Sequence, residues 1–70
     1  MSSKGDWRVL VSIRDVRHGR NFTQHYFFRD CSDVEAQAQA RLSYMEDYPS
    51  ADEFEYLRCR SERDYGVLII

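Results

Sequence analysis

With 70 residues, 43% of them hydrophobic, the chain supplies one domain around a single small core, and a chain of this length buries only about 60% of the surface that its unfolded form exposes. Its 10 Lys/Arg against 12 Asp/Glu leave a formal net charge of −2, which counts against a general polyanion binder. No apolar run approaches the ~18 residues of a membrane span and the opening residues show no targeting pattern, so no membrane association is expected and the implied localisation is cytoplasmic.

Residues 1–6 are expected to be loose, with a single domain over 7–70. Residues 7–13 alternate strictly: Trp7, Val9, Val11 and Ile13 point one way, Arg8, Leu10, Ser12 and Arg14 the other. That pattern predicts a half-buried strand. A second strand follows over residues 20–29, and a turn centred on His18-Gly19 sets Val9 opposite Phe28, Val11 opposite Tyr26 and Ile13 opposite Gln24, with Gly19 tolerating the positive φ that the turn needs.

Ser32 and Glu35 then have the spacing of a capping box, so a helix starts there. Val34, Ala38, Leu42 and Met45 form a narrow apolar stripe suited to lie across the hairpin, and Pro49 disfavours helical geometry at Tyr48, so the helix should stop near Asp47. Residues 53–61 read as a third strand in which the period-2 signal shifts. Phe54 and Tyr56 share one face, Leu57 and Cys59 the other, which points either to a bulge or to one exposed set. We expect Leu57 and Cys59 inward. "SERDYG" reads as a turn and "VLII" as a short fourth strand, apolar on both sides.

These elements predict an α+β, two-layer ββαββ domain: one helix on a four-stranded, mainly antiparallel sheet in the order 2-1-3-4. The sheet side away from the helix would then carry Arg8 opposite Arg29, Leu10 opposite Phe27, Ser12 opposite His25 and Arg14 opposite Thr23, with Tyr56, Arg58 and Arg60 added by the third strand. Residues 1–30 hold six Lys/Arg against three Asp/Glu and residues 31–70 hold four against nine, so the halves differ in sign. Like charges such as Arg8 and Arg29 set opposite each other cost stability. The cost implies an anionic partner or carboxylates of the protein's own reaching in.

Arginine, tyrosine and tryptophan are the types enriched in interface hot spots. A protein partner is therefore the expected reading for Arg8, Arg14, His25, Phe27, Arg29, Tyr56, Arg58 and Arg60, with Tyr44, Glu46, Asp47 and Tyr48 on the helix side as the alternative surface. Nucleic acid is the competing partner, with arginines on phosphates and Phe27, Tyr56 or His25 stacking on bases. Homodimerisation competes as an explanation of both the open face and the "VLII" strand.

No catalytic residue, cofactor or metal is expected. Cys31 precedes a helix N-terminus, where the dipole can lower a thiol pKa, but His25 faces away from the core and no third group orients it. Cys31, Cys59, His18 and His25 lack zinc-ligand spacing, and a disulfide does not suit a reducing compartment.

The whole-chain pattern of "WRVLVSI" and "NFTQHYFF" as a hairpin, "SDVEAQAQARLSYMEDYP" as a capped, Ala-rich helix and then "DEFEYLRCR" resembles the very small ββαβ-type proteins of bacteriophages and mobile elements, some of which are anti-CRISPR proteins. The resemblance is architectural and carries no binding residue across. It implies a non-enzymatic, stoichiometric inhibitor whose partner is a host protein or ribonucleoprotein complex of nucleic-acid processing or defence.

Overall fold

The computed structural model describes residues 4–64. They form β1 (Gly5–Asp15), β2 (Arg20–Cys31), α1 (Asp33–Asp47) and β3 (Phe54–Arg63). The single helix packs on a three-stranded sheet in the order β2-β1-β3, with β1 antiparallel to both neighbours. The expected fourth strand, "VLII", lies outside the described residues. Strand β1 starts at Gly5 rather than Trp7, and β3 runs on to Arg63, so the first three residues of the expected "SERDYG" turn stay in the ladder.

The hairpin register is two residues away from the expected one: Val9 faces Tyr26, Val11 faces Gln24 and Ile13 faces Phe22. A shift of two keeps every side chain on its expected face. The cause lies in the loop, which spans four residues, Val16–Gly19, and is closed by the pair Asp15–Arg20. The Asp15 carboxylate accepts the His18 backbone N–H at 3.2 Å and lies 2.8 Å from His18 Nδ1, while Gly19 takes φ 66. A side chain fixing its own loop in this way favours the longer connection over a two-residue turn.

The other end of the sheet is irregular. Gly5 pairs with Cys31 but Trp7 with Phe28, so β2 carries an extra residue there; Asp30 sits at φ 54 and donates its N–H to Asp6 Oδ1 at 3.2 Å. The Trp7 indole N–H donates to the Cys31 carbonyl at 2.9 Å, and the Arg63 guanidinium lies 5.2 Å from the Trp7 ring centroid.

Of the two alternatives for strand β3, a bulge or one exposed set, the strand contains the bulge, and Leu57 is the residue turned out. The register against β1 shifts between Ser12 and Ile13, leaving Leu57 as the extra, exposed residue. Tyr56 pairs with Ile13 and Cys59 with Val11, so both face the helix. The expectation that Leu57 points inward is therefore corrected: the larger Tyr56 ring takes the core position.

Helix α1 starts in the expected capping box. Glu35 N–H donates to Ser32 Oγ at 3.2 Å and Ser32 N–H donates to Glu35 Oε1 at 2.9 Å; Tyr48, just before Pro49, ends the helix with its N–H on the Tyr44 carbonyl. Replacing Ser32 by alanine should lower stability by about 1 kcal/mol, read from the urea midpoint. The hydrogen bonds to Ser32 also hold the Glu35 carboxyl below its ordinary value of 4.5. A carboxyl that titrates lower in the folded state stabilises the fold above pH 4.5, and that contribution is lost as pH falls through the folded pKa. Between pH 7 and pH 3 the urea midpoint of Glu35→Gln should therefore fall less than that of the wild type.

The helix is rolled relative to its apolar pattern. Ala36, Ala40 and Tyr44 are buried, while Val34, Leu42 and Met45 are 70%, 62% and 63% exposed. Shape explains the reversal. Val9, Val11 and Ile13 form the fully buried floor on β1, and Phe22, Tyr26 and Phe28 on β2 with Phe54 and Tyr56 on β3 pack around it. Only small residues let a helix settle into such a trough. Tyr44 and Tyr48 then close one end, with the Tyr48 ring centroid 5.5 Å from Tyr44, 4.9 Å from Phe54 and 5.9 Å from Phe22.

Candidate partner-binding face

The sheet face away from α1 is set out in four cross-strand rows. From β2 through β1 to β3 these are Asn21–Arg14–Glu55, Thr23–Ser12–Arg58, His25–Leu10–Arg60 and Phe27–Arg8–Glu62, with Arg29 beyond them at the β2 bulge. Side-chain alternation along each strand directs these residues away from the helix. Small hydroxyl residues in the second row leave a shallow depression at the centre, lined by Leu10, Ser12, Thr23, Arg58 and Arg60. Phe27, 61% exposed, is the most exposed large apolar side chain of this face, which Leu10 and the bulged Leu57 share.

Of the residues expected there, Arg8, Arg14, His25, Phe27, Arg29, Arg58 and Arg60 are brought together. Tyr56 is not. Because Leu57 bulges, Tyr56 lies under α1 with its ring 5.5 Å from Tyr44 and with the Arg41 guanidinium 5.3 Å from its centroid; burial and the Cys59 thiol push its hydroxyl up to about 12. The helix-side set also divides. Tyr44 is buried, Tyr48 donates its hydroxyl to Gln24 Oε1 at 3.0 Å, and Asp47 accepts the Tyr26 hydroxyl at 2.8 Å, which leaves Glu46 as the exposed member with no hydrogen bond or salt bridge among the described residues.

Electrostatics differ from the expectation as well. Arg8 does not oppose Arg29 but Phe27, and its guanidinium reaches Glu62 at 3.1 Å; Arg60 meets the same carboxylate at 3.4 Å. The carboxylate that offsets the arginines is thus the protein's own. Arg14, Arg29 and Arg58 form no salt bridge among the described residues. The face is a mosaic in which Arg8, Arg14, Arg29, Arg58 and Arg60 outnumber Glu55 and Glu62. Sequence reasoning missed Ser12 and Thr23 as the floor of the depression, which depends on the β1–β2 register, and Glu62 as the partner of Arg8, which depends on the β1–β3 register.

No family model matches the chain, and neither does any curated protein or solved structure compared with it.

Elsewhere, Cys31 is buried and burial, with Glu35 and Asp30 nearby, raises its thiol pKa, opposite to what a nucleophile at a helix N-terminus needs. His25 stands on the far side of the sheet. Among the described residues no helix is long and apolar enough to cross a membrane.

Proposed function

We propose that the protein is a non-enzymatic, protein-binding module that grips its partner with the open sheet face. The observation that carries this reading is Phe27, a largely exposed aromatic side chain set beside Arg8 and within reach of Arg29. Aromatic residues, phenylalanine included, and arginine are the types enriched in protein–protein interfaces. The internal pairing of Arg8 and Arg60 with Glu62 gives the face both signs of charge, which suits the mixed surface of a protein better than a uniform polyanion. The finer form of the proposal, a stoichiometric inhibitor of a host nucleic-acid-processing or defence complex acting in the cytoplasm, draws support from the small size of the domain, its charged face and the resemblance to small phage proteins.

A nucleic-acid reading has one observation in its favour. His25 and Phe27 lie two residues apart on one strand and one face, and Arg29, which forms no salt bridge among the described residues, follows them on the same strand, an arrangement on which single-stranded bases can stack.

Capture with the tagged protein from lysate of its native cells, with and without nuclease, separates the two readings. A defined protein that survives nuclease, and whose recovery falls roughly 30-fold or more with Phe27→Ala, is the expected result. Recovery of mostly nucleic acid, lost at raised salt, would overturn the protein reading.

A further inference from the structure

Helix α1 leaves its larger aliphatic side chains exposed. It buries two alanines and Tyr44 against the sheet, while Val34, Leu42 and Met45, aligned with Ala38, stand in solvent. At about 100° per residue this stripe lies roughly 140° around the helix from the buried ridge, so it points away from the sheet and slightly toward β3, where Cys59 borders the same shallow groove. None of the described residues covers it, and it is on the opposite side of the molecule from the arginine face.

We infer that this stripe is a homodimer surface, in which α1 packs alongside and parallel to α1 of a second copy to give a sheet–helix–helix–sheet stack. Charge placement selects this occupant. Arg41 occupies the flank of the stripe next to β3, held there over the Tyr56 ring, and Glu46 occupies the other flank, five residues later in the chain. When two parallel helices pack about a twofold axis, opposite flanks meet, so Arg41 of each copy faces Glu46 of the other. An antiparallel pair would set like charge against like.

The core provides a second, independent argument. Among the described residues the largest fully buried side chains are Ile13, Val9 and Val11, and association is a usual remedy in small domains. Covering Val34, Leu42 and Met45 adds apolar burial without altering the protomer. The contact from one helix is smaller than the ~800 Å² per partner of a standard stable complex, so the dimer is a weak one that forms at high concentration.

Sedimentation equilibrium of the full chain, from about 5 μM to about 1 mM, tests the inference across the range where a small interface operates. A monomer–dimer equilibrium is expected, and Leu42→Asp should abolish it while lowering the stability of the dilute protein by no more than the helix-propensity difference between leucine and aspartate. Arg41→Glu and Glu46→Arg should each weaken the dimer several-fold, and the double exchange should restore it, a pattern that general stickiness of an apolar surface does not produce. A wild-type protein that stays monomeric throughout overturns the inference, as does a dimer indifferent to Leu42→Asp. Loss of stability of dilute Leu42→Asp beyond that propensity difference also overturns it, because the stripe is then covered within one chain.

Discussion

Ala40→Leu is expected to destabilise the protein by about 1–3 kcal/mol, whereas Leu42→Ala in dilute solution should change the unfolding free energy by no more than about 0.5 kcal/mol. The apolar pattern of the helix alone predicts the reverse order. Ala40 is fully buried over the floor formed by Val9, Val11 and Ile13, and the flanking aromatic rings leave no volume for three additional carbon atoms. Accommodating them requires the helix to lift from the sheet or the rings to leave their rotamers, and either costs packing along the length of α1. Leu42 has no such constraint, since it lies on the solvent side of the helix. Equilibrium urea unfolding followed by far-UV circular dichroism at micromolar protein checks both variants, and equal effects would mean that the helix is seated differently on the sheet.

Trp7→Ala should be more damaging, at about 3 kcal/mol, the lower end for loss of a large aromatic because the ring is only partly buried. The indole holds together the irregular end of the sheet. It pairs with Phe28 on one side and Arg63 on the other, stacks under the Arg63 guanidinium and anchors the Cys31 carbonyl just before the helix cap. Trp7→Phe keeps most of the ring contact but removes the N–H donor, and should cost about 1 kcal/mol. Circular dichroism is the right probe, since the tryptophan itself is the fluorescent reporter that both variants lose. A Trp7→Ala loss no larger than that of Trp7→Phe would mean that the hydrogen bond matters and the ring packing does not.

The parts of the fold legible in the sequence are those governed by local rules. Strict alternation from Trp7 to Ile13 identified the buried face of the first strand, the Ser32–Glu35 spacing located the helix start, and Pro49 located its end. The hairpin register was less determined. Pairings that differ by two residues place the same side chains on the same face, so hydrophobic pattern cannot choose between them; the choice falls to Asp15, whose carboxylate closes a four-residue loop. The roll of the helix was not legible for a different reason. Val34, Leu42 and Met45 are the larger apolar residues, but the helix seat is shaped by rings from β2 and β3, and fit to that seat decides in favour of alanine. Tyr56 was misassigned to the open face because the bulge at Leu57 changes side-chain parity midway along β3.

The candidate face was legible strand by strand but not across strands. Arg8, Arg14, Phe27 and Arg29 could be grouped from the hairpin alone, as could the outward direction of Arg58 and Arg60. Glu62 as the counter-charge of Arg8 requires a pairing between residues 54 positions apart, which no local pattern encodes.

The central place of β1 has a consequence for how the chain reaches this structure. β1 and β2 meet across a short loop, and such a hairpin can close within about 1–10 μs, whereas β3 must return to the same strand after the intervening helix has formed. Until residues 54–63 dock, one whole edge of β1 carries unpaired amides and carbonyls, and the ladder it awaits is specified by β3 alone. Any chain that offers the same ten residues can complete it. Sheet completion is therefore the step open to exchange between neighbouring chains, and refolding yield measured against protein concentration is expected to fall as the chains become more concentrated.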